Sequence, residues 1–173
     1  DGTLIAEHKD KDDVDQQLRV IAPEIGTTAT DGADGDKTVT ADTKATIVDT
    51  VEYTNLIPGE EYTLTGTLHV KRVDEEGNIT EEPLLDVDGN PVSGKTTFIP
   101  DSPDGSVKVT FTFDATIIPD GTELVAFETL SHDGVGIAAH TDITDEGQTV
   151  TVENPKPEIG TTAKDGVDGD KII

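Results

Sequence analysis

The feature that most constrains this chain is that it restarts. Fifteen residues beginning at Pro23, PEIGTTATDGADGDK, return as PEIGTTAKDGVDGDK beginning at Pro157, 134 residues further on. A near-copy at that spacing requires the stretch between to be a unit that folds and then begins again. A weaker echo joins the other ends. LIAEHKDKDDVDQQLRV from Leu4 parallels GIAAHTDITDEGQTVTV from Gly136, with His8 and Gln16 spaced as His140 and Gln148 are. The chain therefore parses into the closing segment of one repeat (1–22), one complete repeat (23–154), and the linker and opening strand of a third (155–173). Adjacent repeats are each unit's first partners, and the prolines of the V-E-N-P-K-P junction favour an extended, fairly stiff connection.

A unit of this length can bury one apolar core. That core has to be aliphatic, because the chain has no Trp, Met or Cys and only four Phe and two Tyr. Val, Ile, Leu and Thr suit strands. Alternation and turn punctuation place strands near 24–30, 45–54, 61–73, 92–99, 106–113, 122–130, 136–142 and 147–153, and no segment has helical period. Turns are supplied at Ile57-Pro58-Gly59, Glu76-Gly77-Asn78, Asp88-Gly89-Asn90-Pro91 and Pro119-Asp120-Gly121. The expectation is all-β, a sandwich or partly open barrel.

Thirty-seven acidic against twelve basic side chains give a net charge of −25, which repels nucleic acid and anionic lipid and excludes nucleic-acid binding. No apolar run reaches the length of a membrane span, and no charged start precedes an apolar stretch as in a signal peptide, so the fragment reads as internal to something larger, without membrane contact. Without cysteine there is no disulfide, so in a harsh extracellular setting such a protein would need another stabilising device. Two acidic loops, D-G-A-D-G-D-K from Asp31 and D-V-D-G-N from Asp86, make calcium a candidate. An EF-hand loop starting at Asp86 would need a bidentate Glu where Thr97 stands, and no cofactor or metal is assigned. His69 and His132 read as surface histidines.

Period two also sorts the faces. Ile47, Asp49, Val51 and Tyr53 share one face of their strand. Leu124, Ala126, Glu128 and Leu130 share one face of L-V-A-F-E-T-L, with both faces apolar enough for burial. Ile25, Thr27 and Ala29 form the apolar set at the start, and Gln148, Val150 and Val152 that at the end. Four polar groups thus point inward from four strands. Each costs roughly 1–3 kcal/mol if left unpaired, more if charged. They either form a hydrogen-bonded network that fixes register or react. A Thr hydroxyl attacks a Gln carboxamide only if a base takes its proton and an acid polarises the amide. Burial raises carboxyl pKa values and a second acid raises one further, so one of Asp49 and Glu128 can stay protonated as donor to the Gln carbonyl. His140 is suited to relaying a proton to the departing ammonia.

At these residues the chain resembles the T-Q ester-bond domains, or VaFE repeats, of cell-wall-anchored adhesins of Gram-positive bacteria. The resemblance covers the complete repeat and is carried by P-E-I-G-T-T-A, I-V-D-T-V-E-Y-T-N-L, Y-T-L-T-G-T-L, L-V-A-F-E-T-L and H-T-D-I-T-D-E-G-Q-T-V. It implies an Ig-like or CnaB-like β-sandwich repeat with first and last strands adjacent, in a surface-anchored extracellular stalk. It also implies an ester from Thr27 on the first strand to Gln148 on the last, formed once with loss of ammonia and assisted by Asp49, Glu128 and His140. Thr28 stands in the same motif, and alternation with Ile25 and Ala29 favours Thr27. The pairs Thr161/Thr162 and His8/Gln16 match the motifs in the flanking fragments, neither of which holds a full set, so both are expected to stay unlinked in the isolated chain.

Three other readings compete. A Lys–Asn or Lys–Asp isopeptide has Lys37, Lys44 and Asn154 as candidates. A plain immunoglobulin-like or fibronectin-like adhesion module would carry no crosslink. An enzyme acting on an external substrate would need its groups around a cleft rather than on an inward face. The host ligand of any such adhesin is not written in this fragment.

Overall fold

The computed structural model describes residues 22–155 and 159–163; the expectations for His8 and Gln16, with the rest of 1–21, lie outside those residues. Ten strands run in chain order among the described residues: β1 (Glu24–Asp31), β2 (Thr38–Thr40), β3 (Ala45–Thr54), β4 (Tyr62–Val73), β5 (Ile79–Pro83), β6 (Ser93–Phe98), β7 (Gly105–Phe113), β8 (Glu123–His132), β9 (Val135–His140) and β10 (Thr149–Glu153). Two single 3-10 turns, Ala115–Ile117 and Glu146–Gln148, interrupt them. No helix among these residues is long and apolar enough to cross a membrane.

The strands form two sheets packed as a sandwich, as alternation and aliphatic composition led one to expect. One sheet has the order β1-β3-β7; the other runs β2-β10-β8-β4-β5, with β6 also on β4 and β9 also on β8. Between them lies a core of Ile47, Leu64, Leu68, Phe111, Leu124 and Leu130, all fully buried. The central strand β8 is buried on both faces from Leu124 to Glu128, in keeping with its apolar run. β8 turns into β9 through Asp133 and Gly134, both at positive φ, which is the tight hairpin geometry that an Asp-Gly pair favours.

Two expectations need correction. Strands β2 and β5 were not anticipated: β2 is three residues with only Val39 buried, and β5 is exposed throughout, so neither carries the alternation by which strands are recognised. The last strand starts at Thr149, not at 147, because Asp145 caps a 3-10 turn that ends on Gln148. The first and last strands are adjacent, as expected, but from opposite sheets: among the described residues β1 pairs with β3 and β10 with β2 and β8, and β1 meets β10, β9 and the 146–148 turn across the sandwich.

Candidate site where the two sheets meet

The four inward polar groups converge at that meeting. Along β1, Thr27 and Ala29 point inward while Thr28 is exposed. In the antiparallel register Ala29 faces Asp49, which puts Asp49 one inward step from Thr27 on the neighbouring strand. From the other sheet, Glu128 stands opposite His140 in the β8–β9 register, and the His140 carbonyl accepts Gln148 Nε2 at 3.4 Å. Asp49, Glu128 and Gln148 are 0% exposed and Thr27 8%.

Among the described residues, nine buried side-chain polar atoms have no hydrogen-bond partner, and seven of them are here: Thr27 Oγ1, both oxygens of Asp49, both of Glu128, Gln148 Oε1 and His140 Nδ1. Buried polar atoms are rarely left unpaired, so a cluster of them marks a candidate site. The Thr27 hydroxyl lies near enough to favour the charged form of Asp49 without the alignment of a hydrogen bond.

Electrostatics separate the two acids. Burial pushes Asp49 up to about 6, against the opposing pull of Thr27, His140, the Thr28 backbone and Lys37. Burial pushes Glu128 up to about 8, with the Asp49 charge beside it adding to the rise. Near neutral pH the pair therefore holds one proton, and it sits on Glu128.

Two residues that complete this arrangement were not singled out from sequence. Asp145 acts with both oxygens: Oδ1 accepts the Gly147 N–H at 2.7 Å, closing the turn that presents Gln148, and Oδ2 lies 2.9 Å from His140 Nε2. The other ring nitrogen, Nδ1, is buried. The signal was present in T-D-E-G-Q, where an Asp two residues before a Gly favours a capped turn. Gly66 is the second. A Cβ there would come 2.2 Å from Glu128 Oε1 and 2.6 Å from the Phe111 ring, so a glycine inside a strand marks the space that Glu128 occupies. Gly66→Ala is expected to destabilise the domain by about 1–3 kcal/mol by overpacking, read as a lowered midpoint in thermal unfolding.

Lys37, just before β2, donates from Nζ to the carbonyls of Ala29 and Gly147, each at 2.6 Å. Asn154 donates its amide to the Ile118 carbonyl at 3.1 Å. These two isopeptide candidates are therefore engaged at opposite ends of β10, and Lys44 is exposed in the loop before β3. Thr161 and Thr162 are exposed and outside any strand. The two histidines read as surface residues are both partly buried: His69 stacks on Phe127 with ring centroids 4.2 Å apart, and His132 Nδ1 lies 3.0 Å from the Glu61 carbonyl. Of the acidic loops, the first brings carboxylate oxygens of Asp31, Asp34 and Asp36 within 4.8 Å of one another. The second uses Asp86 Oδ1 to hold the backbone N–H groups of Asp88 and Asn90 in a hairpin turn.

No curated protein matches the chain in sequence. Among solved structures, it resembles a bacterial adhesin from Mobiluncus mulieris containing intramolecular disulfide, isopeptide and ester bond cross-links. In one crystal form the TM-score is 0.58 at 19% identity, over 78% of this chain and 58% of that one; in a second the TM-score is 0.56 with the same identity and coverage. The chain thus spans little more than half of that adhesin chain, and the likeness is one of fold. The family model of the T-Q ester bond containing domain matches residues 23–152, which include every residue of the site above. On that match the chain belongs to the T-Q ester bond containing domain family.

Proposed function

We propose that residues 23–154 form a self-crosslinking repeat of a tandem stalk in an extracellular, cell-wall-anchored adhesin, closed by an ester between Thr27 and Gln148. The observation that carries this reading is the convergence of seven unpaired buried polar atoms on those two side chains, Asp49, Glu128 and His140. Family membership and the likeness to a crosslinked adhesin support it.

In the reaction, Asp49 takes the hydroxyl proton as Thr27 Oγ1 attacks Cδ of Gln148. The negative charge developing on Gln148 Oε1 is met by the proton of Glu128. The C–N bond then breaks, and Nε2 leaves as ammonia with the proton withdrawn from Thr27, passed on through His140. One ester and one ammonia replace one hydroxyl and one carboxamide. Burial makes the encounter intramolecular and keeps water from the product. Because every reacting group belongs to the same chain, and Thr27, Asp49, Glu128 and Gln148 are buried, the chemistry runs once and is not an enzyme's turnover.

The test is a protease digest of the mature protein analysed by tandem mass spectrometry. A branched peptide holding Thr27 and Gln148, cleaved by alkaline hydroxylamine, is the expected result; intact Gln148 with no ammonia lost would leave an uncrosslinked sandwich. The rate of ammonia loss in freshly made protein should be bell-shaped in pH. It needs Asp49 ionised, hence pH above about 6, and Glu128 protonated, hence pH below about 8.

A further inference from the structure

Lys37 stands outside the reacting set, yet its side chain spans the two segments that must react. One hydrogen bond goes to the Ala29 carbonyl, two residues beyond Thr27, and the other to the Gly147 carbonyl, the residue before Gln148, both at 2.6 Å. Its own carbonyl accepts the Thr151 N–H at 2.8 Å, so its backbone is fixed to β10 as well. These ties matter because, among the described residues, β1 has a ladder partner on one side only and no ladder joins it to β10. Before an ester exists, no backbone hydrogen bond among those residues holds Thr27 against Gln148.

We infer that Lys37 is a positioning residue for the crosslink, its ammonium fastening the Thr27 strand to the Gln148 turn while the two side chains are still separate. The inference rests on the ester reading above. An ammonium is suited to the task because it offers three donors and accepts nothing, so it can hold two carbonyls of different strands at once. Both backbone polar groups of Gly147 are then held, its N–H by Asp145 and its C=O by Lys37. Burial lowers the Lys37 pKa, and the negative charges of Asp49 and Asp145 oppose that fall. As an ammonium the nitrogen has no lone pair with which to compete with Thr27 for Gln148.

The test follows ammonia loss by intact-mass spectrometry in the full chain made by cell-free synthesis and quenched at intervals. Lys37→Met should slow the reaction roughly 10- to 100-fold, the usual penalty for misplacing reacting groups by about an ångström. Lys37→Arg, which keeps charge and donors, should stay within about threefold of wild type, and Lys37→Gln should fall between. A purely structural role is separated by placing Lys37→Met in a Thr27→Ala chain, where the unfolding midpoint should move by only a few degrees. Wild-type rates in the Met and Gln variants would overturn the inference, as would failure of both to fold, or a Gln148–Lys37 branched peptide in the wild type. Absence of ammonia loss from the wild type would instead overturn the ester reading itself.

Discussion

Thr27→Ala is expected to yield protein with no ammonia lost, a much lower unfolding midpoint and a domain that lengthens under tension. Thr27 and Gln148 lie 121 residues apart, and closing that loop restricts the unfolded chain by about 4–5 kcal/mol on the loop-entropy account used for disulfides. For a domain of this size that is a shift of roughly 10–20 °C. The mechanical difference is larger still. Pulled from its ends, the variant releases 121 residues at ~3.4 Å each, about 400 Å of new length. The crosslinked chain should release almost none, because the load passes from one sheet to the other through the ester. Single-molecule stretching of both proteins measures this directly, and equal extensions would dispose of the clamp. Thr28→Ala serves as the control: Thr28 is exposed, and its loss should leave ammonia release intact.

How much of this was legible beforehand depended on whether a residue's role is local or relational. The inward positions of Thr27 and Asp49 followed from period two, because each lies within a strand that alternates; Glu128 lies on a strand buried on both faces, where its burial was legible but its face was not. Gln148 is buried with Val150 and Val152 as alternation indicated, but on a 3-10 turn bent by the Asp145 side chain rather than on the strand. Sheet membership was equally hidden. That β1 and β10 belong to opposite sheets is decided by the pairing of β2 with β10 and of β1 with β3, and a three-residue strand with one buried side chain leaves no periodic trace. The bridge from Lys37 joins residues up to 110 positions apart, which no spacing rule reaches. Gly66 and Asp145 were visible as a glycine inside a strand and an Asp ahead of a Gly, but their purpose appears only once Glu128 and His140 are seen beside them.

Asp49→Asn should abolish most of the reaction while leaving the fold more tolerant of alkali. As the base for Thr27, Asp49 is expected to contribute about 10²- to 10⁴-fold to the rate, so ammonia loss should slow by that factor, and what remains should lack the rise near pH 6. Stability moves the other way, and its sign is fixed by the direction of the pKa changes. Both acids are raised in the folded protein, Asp49 to about 6 and Glu128 to about 8, so the folded chain binds protons more readily than the unfolded one. Their contribution is fully present below the unfolded values near pH 4 and is lost as pH rises through 6 and then 8. In a Thr27→Ala chain, where no ester masks the effect, stability carried by this pair should therefore fall between about pH 4 and 8. Adding Asp49→Asn removes the step belonging to Asp49, since an amide of the same shape is buried at no cost in charge. It also lowers Glu128, which no longer faces a neighbouring anion. Denaturant unfolding of the single and double variants across that pH range reads both effects. Identical pH dependence in the two would mean that Asp49 does not carry the charge on which the reaction relies.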